Sequence, residues 1–133
     1  MNLKERATYY YEEKDLGCAV GVLMAANEVY GLGLDADSCQ LFEGFRTGMG
    51  CGDACGCLTG AMGALSRKYR GREDLKDICA GFVAAFTEAM GSGSTDCRVI
   101  APNFKTPERR CAAAVELAAQ VLESYIARVD EKK

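Results

Sequence analysis

The chain has 133 residues, of which 49% are apolar and 26% are charged, and it contains eight cysteines and no histidine. These values predict a single compact domain over residues 1–133 with enough apolar side chains for a core, and they exclude a disordered chain. The net charge of −3 and the scattered basic residues exclude a typical nucleic-acid binder. The lack of histidine excludes Cys-His nucleophile pairs, imidazole metal ligands and histidine-ligated haem.

The first segment, MNLKERATYYYEEK, is charged and aromatic, and residues 3–14 have helical spacing. A secretory signal would need an apolar run of roughly 7–15 residues here. No apolar run anywhere approaches the roughly 18–20 residues of a membrane span. We therefore expect a cytoplasmic protein without a membrane span, in a compartment where thiols are kept reduced.

Helices are predicted next over residues 16–30 and 36–46, because apolar residues recur at steps of three and four. Asp15 and Asp35 stand where N-caps are expected, and Gly31 stands where the first of these helices should end. A glycine-rich irregular loop is expected over residues 47–53, immediately before a cluster of cysteines.

Three more segments complete the chain. Helices are predicted over residues 54–70, with Asp53 as the cap, and over residues 74–90, which Gly91 should end. Residues 92–106 are expected to be irregular, with "CRVIA" as a strand-like run too short to stand alone. The last helix is predicted over residues 107–130, opened by Thr106-Pro107. The sequence thus predicts an all-α bundle of five or six helices with two irregular cysteine-bearing loops.

Four cysteines fall near the predicted helix starts or beside a loop, namely Cys18, Cys55, Cys97 and Cys111. A helix N-terminus presents free N–H groups and a partial positive charge, which lowers the pKa of a thiol. The neighbouring arginines at 98, 109 and 110 should lower the pKa of Cys97 and Cys111 in the same way. Low-pKa thiolates at these positions indicate redox or metal chemistry.

The stretch "GMGCGDACGCLTGAMG" adds Cys51 and Cys57 to Cys55. Its C-x3-C-x-C spacing matches neither a zinc knuckle nor a ferredoxin cluster nor a thioredoxin-like motif. If Cys55 and Cys57 are both helical, they point about 200° apart and cannot serve one site without distortion. Cys51, in the loop, could approach Cys55 as a resolving thiol or an extra ligand.

Two further features of the composition bear on packing. Gly56 and Gly60 lie on a predicted helix, where each glycine costs up to about 1 kcal/mol, so they indicate close approach to a neighbour or a bound group. Cys39 and Cys79 lie beside apolar residues on helices and are predicted to be core residues.

The pattern of an early cysteine opening a helix, a glycine-rich loop, C-G-x-x-x-G and two later cysteines resembles the C-GCAxxG-C-C family, whose members are regarded as redox-active. The matching stretches are "LGCAVGVLMAANEVYGL", "FRTGMGCGDACGCLTGAMGALSRKY", "FTEAMGSGSTDCRVI" and "RRCAAAVELAAQVLE". The resemblance implies a small helical protein that uses Cys18, Cys55, Cys97 and Cys111 for redox or metal chemistry. It carries Cys55, Gly56 and Gly60 over from the core motif, and Cys57 stands where that motif has alanine.

Three hypotheses stay open at this point. In the first, thiolates at Cys18 and Cys55 exchange with Cys97 or Cys111, in a thiol-dependent oxidoreductase or an electron-transfer protein with a redox partner protein. In the second, the same four cysteines hold an iron–sulfur cluster or zinc, with Cys51 as an additional metal ligand. Cys51, Cys57, Gly56 and Gly60 are then the candidate cofactor-binding positions. In the third, the chain is a structural helical module with packed cysteines.

Exposed apolar stripes on such a small helical bundle favour a homodimer.

Overall fold

The structure is a computed structural model that describes residues 2–132, and seven α-helices lie within that range. They confirm the all-α class, and one more helix is present than the sequence predicts. The helices are α1 (Leu3–Thr8), α2 (Cys18–Tyr30), α3 (Ala36–Gln40), α4 (Gly56–Lys68), α5 (Leu75–Met90), α6 (Cys97–Phe104) and α7 (Ala112–Glu131). A π-helical turn, Tyr9–Glu13, extends α1.

The ends of α2 show which local signals were decisive. Gly31 ends the helix in the left-handed conformation, with φ of 60°, as its sequence position indicates. At the other end the N-cap is Gly17, and not the predicted Asp15, whose own backbone is left-handed with φ of 56°. Asp35 caps α3 as predicted, since its side chain accepts a hydrogen bond of 2.7 Å from the Ser38 amide.

The middle of the chain departs from the prediction in length. Helix α3 ends at Gln40, and only a 3₁₀ turn, Glu43–Phe45, lies in the rest of the predicted 36–46 helix. Helix α4 begins at Gly56 with Cys55 as its N-cap, so Asp53 is not the cap. Residues 47–53 are irregular as predicted, with Gly48–Gly52 forming a π-helical turn. Helix α5 matches its prediction and ends at Gly91.

The segment 92–106, predicted to be irregular, contains α6 (Cys97–Phe104). Its start is anchored to a distant part of the chain, because the Cys97 amide donates a hydrogen bond of 2.6 Å to the Asp53 carbonyl. Burial of Ile100, which is 1% exposed, fixes one face of the helix in the core. These tertiary contacts override the strand preference of the Val-Ile pair.

The last helix begins at Ala112 rather than at 107. Thr106 and Arg110 pair through two backbone hydrogen bonds of 2.8 Å each, which close a turn over the residues between them. Arg110 has a left-handed backbone, with φ of 54°, and that conformation prevents a continuous helix through 107–111. Cys111 is consequently the N-cap of α7 and not a residue inside the helix.

Helices α2 and α4 form the central packing pair, while α1 and α5 lie against α7. The approach of α2 to α4 is very close, because a Cβ at Gly60 would overlap the Ala19 carbonyl oxygen and lie 2.9 Å from the Ala19 Cα. This contact sets the N-terminal ends of the two helices side by side. Among residues 2–132, none of the helices combines the length and the apolarity that a bilayer crossing demands.

Candidate functional site

A pocket of about 260 Å³ lies where the first turns of α2, α4, α6 and α7 meet. Five of the eight cysteines line it, and all five are free thiols. These pocket cysteines are Cys18, Cys55, Cys57, Cys97 and Cys111. The sulfurs that the sequence spreads over more than ninety positions are therefore gathered around one solvent-accessible space.

Each of the four cysteines predicted from the helix starts opens a different helix. Cys18 and Cys97 are the first residues of α2 and α6, whereas Cys55 and Cys111 are the N-caps of α4 and α7. Backbone amides of the first turns lower the pKa of Cys18 and of Cys55, the cysteines at the starts of α2 and α4.

Backbone hydrogen bonds hold these helix starts together. The Cys55 amide donates to the Thr95 carbonyl at 2.8 Å, and the Cys97 amide donates to the Asp53 carbonyl at 2.6 Å. The Cys111 amide donates to the hydroxyl of Tyr11 at 3.1 Å, which ties α7 to the π-helical turn after α1. The pocket is thus built by contacts between segments far apart in sequence.

Cys57 is the most deeply buried of the pocket cysteines. It is 1% exposed, and hydrogen bonding of its thiol with the Cys18 and Cys55 side chains is the largest cause of the pKa shifts of all three. The expected separation of about 200° does not apply, because Cys55 is not helical: its φ of −57° and ψ of 135° take it off the helical wheel. The sequence did not show this, because Asp53 and not Cys55 was the predicted N-cap of α4.

Cys18 has a pKa lowered to about 7 from an ordinary value of 9.0. The hydrogen bond from Cys57 is the largest cause, burial opposes it, and the backbone amides of Ala19, Cys18 and Thr47 add to the lowering. About half of the Cys18 side chains are consequently thiolates at pH 7. A partly exposed thiolate is the reactive form of cysteine.

The pKa of Cys55 is also lowered, first by the hydrogen bond from Cys57 and then by the backbone amides of Cys57 and Leu58, while burial and the charge of Cys18 oppose the change. The pKa of Cys57 is raised well above its ordinary value, because donation of its one proton to the Cys18 or the Cys55 sulfur and burial both favour the protonated form. Cys57 therefore keeps its proton and acts as the donor in this trio of thiols.

Cys97 and Cys111 behave differently from the prediction. Burial raises the pKa of both thiols, and neighbouring thiolates raise it further, while the smaller contribution of Lys105 lowers it. The expected effect of the arginines is largely absent because two of them are paired elsewhere. Arg98 contacts Asp53 and Asp96 at 3.1 and 3.7 Å, and Arg109 contacts Glu12 and Glu116 at 2.9 and 3.2 Å.

The remaining cysteines lie outside the pocket. Cys51 is exposed, and its thiol donates a hydrogen bond of 3.5 Å to the Gly48 carbonyl. The structure therefore does not bring Cys51 to the other thiols. Cys39 is fully buried, Cys79 packs against the core from a half-buried position, and burial raises the pKa of each. Both have the packing role that the sequence predicts.

Glycines make the crowding of sulfurs sterically feasible. A Cβ at Gly56 would overlap the Cys18 sulfur, so the absence of a side chain there lets that sulfur lie against the first turn of α4. Gly48 has φ of 58°, and a Cβ on it would lie 2.7 Å from the Cβ of Cys97. Gly56 and Gly60 thus serve the contact between α2 and α4, which is one of the two roles expected for them.

The pocket wall also contains cationic side chains. Among residues 2–132, Arg46, Lys105 and Arg110 line it and no carboxylate does. The Arg110 guanidinium lies 4.3 Å from the centroid of the Tyr11 ring and donates to the Tyr11 carbonyl at 2.8 Å. Arg110 is a cation that the sequence predicts beside the thiols, whereas Arg46 and Lys105 are cations that sequence position alone does not indicate.

The fit of a metal ion can be judged from the ligand geometry. Within residues 2–132, no three side chains of the cysteine or carboxylate type are arranged so that they could hold one ion together.

Comparisons with known proteins agree with the cysteine pattern. A family model described as "Putative redox-active protein (C_GCAxxG_C_C)" matches residues 16–125, a span that contains all five pocket cysteines. No curated protein and no solved structure matches the chain.

Proposed function

The chain belongs to the C_GCAxxG_C_C family, which is described as redox-active, and from this premise we propose that it is a thiol–disulfide redox protein that uses Cys18 as its nucleophile and Cys55 as its resolving thiol. The observation that carries the proposal is that five cysteines line one pocket open to solvent. Two of the five, Cys18 and Cys55, have a pKa that hydrogen bonding with the Cys57 side chain lowers.

In the first step, the Cys18 thiolate attacks one sulfur of a substrate disulfide, R–S–S–R. The Cys18–SR bond forms, the substrate S–S bond breaks, and RS⁻ leaves. The pKa of Cys18, about 7, supplies a substantial thiolate fraction at neutral pH. Among the pocket cysteines, Cys55 and Cys57 are buried whereas Cys18 is half-buried, so a substrate reaches Cys18 more readily than either.

In the second step, the Cys55 thiolate attacks the Cys18 sulfur and releases the second RS⁻. The two protons that the protein thiols lose end on the two RS⁻ groups, and two electrons pass from the cysteine pair to the substrate. Formation of the mixed disulfide removes the negative charge of Cys18, which had opposed ionisation of Cys55. The single Cys57 proton is then free to hydrogen-bond to Cys55 alone, so the donor that first stabilises one thiolate next stabilises the other.

The reverse reaction, in which a dithiol reduces the Cys18–Cys55 disulfide, uses the same atoms. Cys97 and Cys111 line the same pocket with raised pKa values, so they remain protonated at neutral pH. They are therefore weaker nucleophiles than the Cys18 and Cys55 thiolates, and an external dithiol, which leaves as a disulfide, reduces the Cys18–Cys55 bond.

A zinc ion or an iron–sulfur cluster is the competing assignment for these cysteines. The number of thiols on one pocket favours it, since such groups are held by cysteine thiolates. The absence of three convergent ligands among residues 2–132 disfavours it. Elemental analysis and a visible spectrum of protein purified without oxygen discriminate the two assignments: we expect a colourless protein with far less than one metal per chain.

The direct test of the proposal measures which thiols react and with what result. Reduced protein is alkylated with iodoacetamide over pH 5–10, and the modified cysteines are identified by peptide mass spectrometry. We expect Cys18 to react with a midpoint near pH 7. After treatment with a small disulfide, we expect an intramolecular Cys18–Cys55 bond in the mass map.

Two variants complete the test. Cys55→Ser should stop the reaction at the mixed disulfide on Cys18, since Cys57, Cys97 and Cys111 all have raised pKa values and stay protonated at neutral pH. Cys39→Ser removes a cysteine outside the pocket and should leave the Cys18–Cys55 bond unaffected. An alkylation midpoint for Cys18 near 9, together with no disulfide among the pocket cysteines after oxidation, would contradict the proposal.

A further inference from the structure

The chemistry of the pocket rim indicates the kind of disulfide or thiol that the site accepts. Three cationic side chains, Arg46, Lys105 and Arg110, line the pocket, and they come from three different segments of the chain. Within the part of the chain that the structure describes, no aspartate or glutamate lines it. A ligand in the pocket consequently meets positive charge on several sides.

The three cations differ in how far they are neutralised. Arg46 pairs with Glu43 at 2.8 Å, and Arg110 pairs with Asp15 at 3.0 Å. For Lys105 the structure gives no ion pair with any carboxylate among residues 2–132, and it stands exposed at the end of α6. Lys105 is therefore the cation whose charge is most available to a ligand.

The size of the pocket restricts the ligand further. A volume of about 260 Å³ lies at or below the lower end of the range typical of small-molecule sites, which is roughly 300–1,000 Å³. The Tyr11 hydroxyl accepts the Cys111 amide hydrogen bond, so its own proton is available for an acceptor atom of a ligand. Such a space suits a compact molecule that carries a hydrogen-bond acceptor and negative charge.

We propose that the substrate is a low-molecular-weight disulfide, or the matching thiol, that carries a carboxylate or another anionic group, and that Lys105 positions that group at the pocket mouth. This inference rests on the proposed function, because it assigns the substrate class of the same site. The exchange reaction is the one given above, with the anionic compound as R–S–S–R. Lys105 acts on the charge of the substrate and takes no part in bond formation.

The test compares three disulfides of similar length and different charge. These are dithiodipropionate, which is anionic, hydroxyethyl disulfide, which is neutral, and cystamine, which is cationic. The rate at which each converts reduced protein to the Cys18 mixed disulfide is measured with Cys55→Ser protein by mass spectrometry. We expect the anionic compound to react fastest and the cationic compound slowest, by about tenfold between the extremes at low salt.

Lys105→Gln removes one charge from the rim, and we expect it to lower the ratio of anionic to neutral rates by about threefold, while the rate with the neutral disulfide stays the same. Lys76→Gln is the matched control, because Lys76 is an exposed lysine on α5 and does not line the pocket. It changes the net charge of the protein equally and should leave the ratio unaffected.

The outcomes separate this inference from the function on which it rests. Equal rates with all three disulfides, or a ratio that falls as much in Lys76→Gln as in Lys105→Gln, would overturn the substrate class and leave the thiol–disulfide function standing. No reaction of Cys18 with any of the three would overturn both.

Discussion

The role of Cys57 as the shared proton donor leads to a sharp prediction. Substitution Cys57→Ala removes the hydrogen bond that is the largest cause of the low Cys18 pKa. The contributions of the backbone amides of Ala19, Cys18 and Thr47 remain, so the pKa of Cys18 should rise without returning fully to 9.0. Cys57→Ser keeps a hydroxyl donor at the same place and should retain most of the lowering.

The size of the effect follows from the two end values, about 7 and 9.0. We expect Cys57→Ala to raise the pKa of Cys18 by about one unit, equivalent to about 1.4 kcal/mol. At pH 7 the thiolate fraction then falls from about one half to about one tenth. A more basic thiolate is also a better nucleophile, by about threefold for one unit, so the reaction rate at pH 7 falls by only about half.

The pH midpoint of Cys18 alkylation is therefore the informative quantity, and the rate at a single pH is not. Iodoacetamide labelling of the Cys18 peptide, followed over pH 5–10, should give a midpoint near 8 for Cys57→Ala and near 7 for Cys57→Ser. The plateau rate at high pH should be about threefold higher for Cys57→Ala. Cys39→Ala, another buried cysteine of the core, is the control for a nonspecific effect of cavity formation.

An unchanged midpoint in Cys57→Ala would refute the reasoning, because the low pKa would then arise from the backbone amides alone. Equal upward shifts in Cys57→Ala and Cys39→Ala would also refute it, since they would indicate a general loosening of the core.

Further predictions concern stability. Gly60→Ala should lower the free energy of unfolding by about 1–3 kcal/mol despite the better helix propensity of alanine, because its Cβ meets the Ala19 backbone. In Gly63→Ala the Cβ meets two side chains that can shift, the end of the Phe42 ring at 2.7 Å and the Leu23 Cδ1 at 3.5 Å, so urea denaturation should show a smaller loss. Asn27→Ala should lower the free energy of unfolding by about 1–3 kcal/mol in the same assay, since the Asn27 side chain donates to the Leu34 carbonyl at 2.8 Å and accepts from the Leu34 amide at 2.9 Å. Asn103→Ala, at an exposed position, is the control and should leave the free energy of unfolding unchanged. Burial raises the pKa of Tyr30 to about 12 from 10.0, so the folded state retains a proton that the unfolded chain releases. The free energy of unfolding should therefore fall as pH rises from 10 to 12, and the fall should be shallower in Tyr30→Phe. Identical slopes in the two proteins would contradict this assignment.

The sequence by itself determined the fold class and the bounds of several elements. Apolar spacing located α2 and α5, and Gly31 and Gly91 ended them with left-handed backbones, because these signals act within one or two helical turns. The same local signals placed Cys18 at the start of α2. They also separated Cys39 and Cys79, which lie on apolar faces, from the cysteines at helix starts.

The local signals gave wrong helix bounds where contacts with a distant segment determine the backbone conformation. The apolar periodicity did not predict α6, whose first amide donates to the Asp53 carbonyl. It also did not predict the turn before α7 that makes Cys111 an N-cap. A helical wheel separated Cys57 from Cys55 because it assumed helical geometry for a residue that is extended in the structure.

Only the tertiary structure decided which sulfurs meet. The spacing of thiols along the chain does not report the hydrogen bonds between residues 53–55 and 95–97, and those bonds bring the starts of α4 and α6 to one pocket. Nor does it report that Lys105 stands on the pocket rim while Arg98 and Arg109 are neutralised by carboxylates. The pKa of a thiol depends on neighbours in space, so the lowered pKa of Cys18 arises from the packing of α2 on α4 and cannot be read from the spacing of thiols along the chain.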